Sequence, residues 1–301
     1  TLDGRDIDRL IVGEPGDGKK TLWITARQHP GESMAEWAAE GLLERLLDDN
    51  DPVARDLLSK AVFHIVPNMN PDGSFRGHLR TNAKGVNLNR EWDKASAENS
   101  PEVKCVLDAM EETGVDFFLD MHGDEGLPYN FIAGAEGVPG WTDADQKKLD
   151  GYKAELKRFN PDFQTEFGYK VDAPNSADLS IATHWMRHHF GCLAMTLEMP
   201  FKDNADMPDT IYGWSPERSM KLGASQLGSK VLLQEGRNDH VVARTQHQSA
   251  RGNAADLVGA VIGEQSADAF GDDGLLGGIG RRGRGGAFVF RPVRLEPFGR
   301  I

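Results

Sequence analysis

The stretch LWITARQHPGESMAEW, residues 22–37, decides how the rest of the chain is read. It opens on a short apolar run, Leu22–Ala26, of the kind that forms a buried strand. It closes on the start of a helix. Met34, Ala38, Leu42 and Leu46, with Trp37 and Leu43, recur at helical spacing to about Leu47. Between the two, His29 and Glu32 flank Pro30-Gly31 just past the strand's carboxyl end. Pro-Gly interrupts both strand and helix, so it folds a loop that can bring an imidazole and a carboxylate to one point. Taken alone, the stretch fits an exposed loop as well as a metal site, and only partners elsewhere separate the two.

The 301 residues allow a sizeable core, in one large domain or two smaller ones. The chain begins at Thr1 rather than Met, as expected of a fragment or a processed chain. No apolar run approaches the ~20 residues of a membrane helix. Cys105 and Cys192 make no disulfide framework and read as buried thiols, which favours a reducing, cytoplasmic setting. The net charge of −13 argues against a nucleic-acid partner bound through a general basic field. That charge is uneven. Residues 241–301 carry eight Arg, no Lys and twelve Gly for a net +2, against −15 on residues 1–240. The shift marks a boundary between a domain at 1–240 and a Gly/Arg-rich, loosely ordered tail at 241–301.

Further strands are expected at Ala61–Asn68, Val115–Gly123 and Gly191–Phe201. Helices are expected over 101–112 and 143–159, and from Ser215-Pro216 to about Gln234, with a turn at Pro71-Asp72-Gly73. Alternating strands and helices imply an α/β fold: a mixed, mostly parallel sheet covered by helices on both faces. Ligands bind beyond the carboxyl ends of such strands. His29, His122 and Glu198 each stand at or near one. His29, Glu32 and His122 thus offer two imidazoles and a carboxylate, a donor set suited to catalytic zinc with a position left for water. Between them, residues 66–92 form a long polar segment holding Arg76, Arg80 and Arg90, with Asn89 beside the last. Guanidiniums near a metal can clamp a carboxylate or polarise a carbonyl. Glu198 lies in an otherwise apolar strand, where a carboxylate is costly without a partner or a role.

HPGE (29–32), VPNMNPDG (66–73), GHLR followed by NLNREW (77–92), DMHG (120–123) and TLE (196–198) occur in the order and spacing of the zinc carboxypeptidases. The chain resembles their cytosolic-carboxypeptidase branch over about residues 20–201, extending toward 235. The resemblance implies one zinc held by His29, Glu32 and His122, a ligand set that is a property of the family. It implies that Arg80 polarises the scissile carbonyl and that Asn89 and Arg90 hold the substrate's terminal carboxylate. Glu198 would be the general base that takes a proton from the attacking water and delivers it to the leaving amine. The implied substrate is the C-terminus of a peptide or protein, with no nucleic-acid or membrane partner.

Three departures stand out. Where the family has an aspartate that orients a zinc histidine, this chain has Asn87, which accepts a hydrogen bond but lacks the charge. The family's mobile tyrosine, about 22 residues before the base, has no counterpart in APNSADLS (173–180), and Tyr169, the nearest, is not assigned. Members that remove glutamate carry a basic side chain in the pocket for the released residue, whereas SADLSIATHW (176–185) offers Ile181 and no Lys or Arg. His184, His188 and His189 read as surface residues of a helix. The cytosolic branch also carries a β-sandwich domain, which would precede Thr1. Two other readings stay open: a zinc-dependent N-acyl amino acid amidohydrolase, and an inactive peptide-binding module of the same fold.

Overall fold

The computed structural model describes residues 1–229, Leu232 and the strand Val293–Pro297. Its strands are β1 (Asp8–Val12), β2 (Lys20–Ala26), β3 (Ala61–Val66), β4 (Phe117–Met121), β5 (Phe131–Ala133), β6 (Leu193–Glu198) and β7 (Val293–Pro297). Its α-helices are α1 (Ser33–Leu46), α2 (Pro52–Lys60), α3 (Pro71–Arg76), α4 (Pro101–Thr113), α5 (Asp143–Phe159), α6 (Ala182–Phe190) and α7 (Pro216–Ser225). The strands form one sheet in the order β5-β6-β4-β2-β3-β1-β7. The central ladders β3–β2, β2–β4 and β4–β6 are parallel, and the outer pairs are antiparallel. The carboxyl ends of β2, β4 and β6 therefore open on the same edge of the sheet.

Both faces of the sheet are covered, which is why its central strands are apolar throughout rather than alternating. On one face Leu22, Ile24, Phe63, Leu119 and Met195 pack under Leu42 and Leu46 of α1, Tyr152 of α5 and Leu222 of α7. On the other, Trp23, Phe118 and Ala194 pack under Val103, Val106 and Met110 of α4 and Met186 of α6. Local chemistry starts the helices where it should. Asp51 accepts from the amides of Val53 and Ala54 ahead of α2, and Thr142 and Asp145 form a reciprocal capping box on α5. No described helix is long and apolar enough to cross a membrane.

The structure departs from the sequence reading at several elements. Pro71-Asp72-Gly73 opens a six-residue helix rather than making only a turn, because Asn70 caps it by accepting from Gly73 N. β2 starts two residues before its apolar run, at Lys20, whereas β3, β4 and β6 are shorter than theirs; β3 ends at Val66, before Pro67. β1, α2 and the three-residue β5 give too little periodic signal to stand out in the sequence. The tail 241–301 lies outside the described residues except Val293–Pro297. Those five residues join the sheet instead of standing apart, pairing with β1 from Asp8↔Pro297 to Val12↔Val293. They satisfy backbone groups that an edge strand otherwise leaves open.

Helices α1 and α7 touch backbone to backbone. A Cβ placed on Gly223 would lie 1.8 Å from the carbonyl oxygen of Ala38, and one on Gly41 would lie 2.1 Å from that of Met220. Gly223→Ala gains only about 1 kcal/mol of helix propensity. Forcing two packed helices apart costs about 1–3 kcal/mol or more. The variant is expected to unfold at lower urea concentration than the parent; an unchanged midpoint would contradict the close approach.

Candidate metal centre

Strand β2 ends in a sharp change of direction at Arg27, whose φ of 57° lies in the left-handed region that non-glycine residues rarely enter. Its guanidinium holds the turn by donating to Pro30 O at 2.9 Å and by pairing with Glu36. Gly31 then passes so close to Leu79 that a Cβ would sit 2.9 Å from the Leu79 carbonyl oxygen, to which Gly31 N donates. Only glycine allows that approach, which ties the HPGE loop to the 77–92 segment. Glu32 occupies the N-cap position of α1, and its side chain turns into the site rather than back onto the helix.

Glu32 meets both histidines. Its Oε1 lies 2.7 Å from His29 Nδ1 and its Oε2 lies 2.8 Å from His122 Nδ1, while Gly123 N donates to Oε2 at 3.1 Å. The two Nδ1 atoms are 3.1 Å apart. All three residues are buried, and their ligand atoms lie within 4.8 Å of one another. Each imidazole is held from behind through its Nε2. For His29 the partner is Asn87 Oδ1 at 3.0 Å, and for His122 it is Asp120 Oδ2 at 2.7 Å. Asp120 is fully buried and also accepts from Thr25 Oγ1 at 2.7 Å and from Gln28 Nε2. An outer oxygen on each ring fixes the tautomer that leaves Nδ1 free as a ligand.

This donor set fits zinc. Tetrahedral ligands at 2.0–2.1 Å from a metal stand about 3.3 Å apart, so the observed 2.7–3.1 Å spacings need to open by only tenths of an ångström. The electrostatics also favour a cation. Burial would lower the basicity of His122, but Asp120 and Glu32 outweigh it and raise its pKa well above the ordinary histidine value. Burial would raise Glu32, but His122 and His29 draw its carboxyl down to about 2. Burial lowers His29. Glu32 thus faces the point between the two Nδ1 atoms while Asp120 backs His122, and both carboxylates favour positive charge there.

Around this point lies a cavity of about 280 Å³, lined also by Arg80, Asn89, Arg90, Asp124, Tyr169 and Glu198. The structure therefore brings together every catalytic, substrate-binding and metal residue expected from the sequence. Arg80 Nη1 stands 3.8 Å from Glu32 Oε1. Asn89 Oδ1 accepts from Ala182 N at 2.8 Å, which leaves its amide nitrogen as the group it can offer a ligand. Arg90 is half-exposed, with Nε 4.0 Å from Asp178. Glu198 is buried, its Oε2 has no hydrogen-bond partner among the described residues, and burial raises its carboxyl to about 8. Arg76 is not in the cavity; it pairs with Asp3 at 2.6 Å. His184 lines the cavity rather than standing apart from it, whereas His189 lies outside, 2.6 Å from Glu111.

Two residues escaped the sequence reading. Tyr169 Oη reaches Glu198 Oε1 at 3.1 Å and Asp124 Oδ2, from a loop 29 positions before Glu198, and nothing local in the sequence marks it. Asp120 did leave a signal. A carboxylate two residues before His122 on one strand must share its face, and in so apolar a run it needs a partner.

Residues 1–226 match the zinc carboxypeptidase family. The chain belongs to that family. It is 56% identical over 223 residues, 74% of this chain and 58% of the relative, to an uncharacterised protein of Zymomonas mobilis. Among solved structures, it is similar to a metallo-carboxypeptidase from Pseudomonas aeruginosa in complex with (2-guanidinoethylmercapto)succinic acid. That match has 47% identity and a TM-score of 0.75 over 77% of this chain and 62% of that one. A metallo-carboxypeptidase from Burkholderia cenocepacia matches at 52% identity and a TM-score of 0.74, over 77% and 63%. Mouse cytosolic carboxypeptidase 6 is 33% identical over 145 residues, 44% of this chain and 27% of that protein. The chain spans about three fifths of the length of the bacterial relatives.

Asn87 gives His29 an uncharged partner where His122 has a carboxylate. Asn87→Asp is expected to tighten zinc by about 10–100-fold, measured by competition against a chelator. Unchanged or weaker binding would contradict an orienting role for residue 87.

Proposed function

We propose that this chain hydrolyses the C-terminal peptide bond of peptides or proteins, with one zinc held by His29, Glu32 and His122. The observation that carries this reading is Glu198. A buried carboxylate with an unpartnered oxygen opens into the same cavity as the metal ligands, two guanidiniums and a carboxamide. When bound, zinc supplies the Lewis acid that polarises the scissile carbonyl and lowers the pKa of the attacking water.

The chain's own residues do the rest. Asn89 and Arg90 hold the substrate's terminal carboxylate, so that the last peptide bond lies against the metal centre. Arg80 donates to the carbonyl oxygen as negative charge builds there. Glu198 takes a proton from the attacking water as oxygen bonds to the carbonyl carbon. It then gives that proton to the amide nitrogen as the C–N bond breaks, freeing an amino acid and a shortened peptide. Tyr169, whose hydroxyl lies between Glu198 Oε1 and Asp124 Oδ2, keeps the carboxylate aimed into the cavity. We assign this chemistry to residues 1–240, since every residue it uses lies between 29 and 198. We place the chain in the cytoplasm, where thiols such as those of Cys105 and Cys192 stay reduced.

Glu198→Gln keeps the shape of the side chain and removes the proton acceptor. It is expected to retain stoichiometric zinc by elemental analysis and to lose about 10²–10⁴-fold in turnover, read by mass spectrometry of released amino acid. A variant turning over within a few-fold of the parent would overturn the assignment.

A further inference from the structure

The inner end of the cavity carries a feature that the hydrolytic residues do not use. Thr196 stands two positions before Glu198 on the same face of β6, about 7 Å deeper along the strand. Its hydroxyl lies 2.7 Å from that of Thr183 on α6, and both residues are buried. Ala133 sits opposite Thr196 in the β5–β6 ladder, with Gly134 after it and Ile181 at the start of α6. These five residues line the cavity, and none is ionisable.

Most of the charged groups lining the cavity are engaged elsewhere. Arg80 faces Glu32 at 3.8 Å and Arg90 faces Asp178 at 4.0 Å. Asp124 accepts from the amides of Gly126 and Leu127 and from Tyr169. Glu125 is exposed to solvent. A charged side chain reaching the threonine pair would be buried with no counter-ion, which is strongly disfavoured. An apolar one would cover two hydroxyls without satisfying them.

Two facing hydroxyls share one hydrogen. The second hydrogen and the remaining lone pairs have no other partner among the described residues, so the pair can both donate and accept. A carboxamide or hydroxyl side chain answers both. We propose that the Thr183–Thr196 pair selects the residue released, favouring an uncharged C-terminal side chain that can donate and accept a hydrogen bond, with glutamine the best-suited probe. This inference rests on the carboxypeptidase reading above. It makes Thr183 and Thr196 specificity determinants of that site.

The test uses four peptides that differ only in the last residue: Gln, its near-isosteres Glu and Met, and Lys. For the zinc-loaded protein, kcat/KM for Gln is expected to exceed that for Glu and Lys by at least about 100-fold and that for Met by about tenfold. Thr183→Val removes one hydroxyl at nearly constant volume. It should bring the Gln-to-Met ratio close to one, with an unchanged urea midpoint and stoichiometric zinc showing that the variant is folded. Thr183→Ser should restore the ratio. The same peptides are also titrated by calorimetry into zinc-loaded Glu198→Gln. There the order Gln, then Met, then Glu and Lys supports the inference even if the parent cleaves none of them, an outcome that sinks the carboxypeptidase reading alone. Equal binding and cleavage of all four, a preference for Glu or Lys, or a Gln-to-Met ratio unmoved in Thr183→Val would overturn it.

Discussion

The contact on which the rest depends is the Glu32 carboxylate, buried between two imidazoles that arrive from different strands. A buried carboxylate is tolerated only where positive charge or hydrogen bonds compensate it. Here His29, His122 and Gly123 N supply that compensation, so the ends of β2 and β4 cannot move independently of the first turn of α1. The order of the sheet makes the contact possible, because β2 and β4 are parallel neighbours paired to their last residues, Ala26 with Met121. The left-handed turn at Arg27 and the close pass of Gly31 against Leu79 follow from the same requirement. A loop leaving β2 at Ala26 must double back within six residues to put Glu32 opposite His122.

Charge is distributed to suit that arrangement. The chain is acidic overall, yet the cavity is lined by the guanidiniums of Arg80 and Arg90 from the 66–92 segment. Carboxylates behind and between the histidines favour a bound cation, and the arginines favour an anionic substrate beside it. The two signs meet where Arg80 Nη1 stands 3.8 Å from Glu32 Oε1. Glu198 stands at a strand end in this cavity, with one oxygen near Tyr169 and the other without a hydrogen-bond partner among the described residues.

Much of this was legible in the sequence. Long apolar runs announced the central strands, and helical spacing announced α1, α4 and α5, because packing on two faces leaves a strong periodic mark. His29, Glu32, His122 and Glu198 were visible as polar residues at the ends of such runs. What escaped had a physical reason. β5 is three residues long and is specified by its pairing with β6 rather than by its own composition. Pro71-Asp72-Gly73 reads as a turn until the Asn70 cap is known to continue it into a helix. Tyr169 comes from an irregular loop, where no period relates position to direction, so only the folded chain reveals its hydrogen bond to Glu198. The partnership of Thr183 with Thr196 is likewise tertiary, joining a helix to a strand.

Under the proposed function, recognition of a free C-terminus by Asn89 and Arg90 would separate this chain from other zinc hydrolases of the same fold. The most direct measurement is kcat/KM for matched peptides ending in a free carboxylate or in an amide. An amide cannot form the charge-assisted pair with Arg90, and this is expected to slow it at least about 100-fold, since about 2.7 kcal/mol already gives that factor. Equal rates for acid and amide, or cleavage at internal bonds of longer peptides, would contradict it.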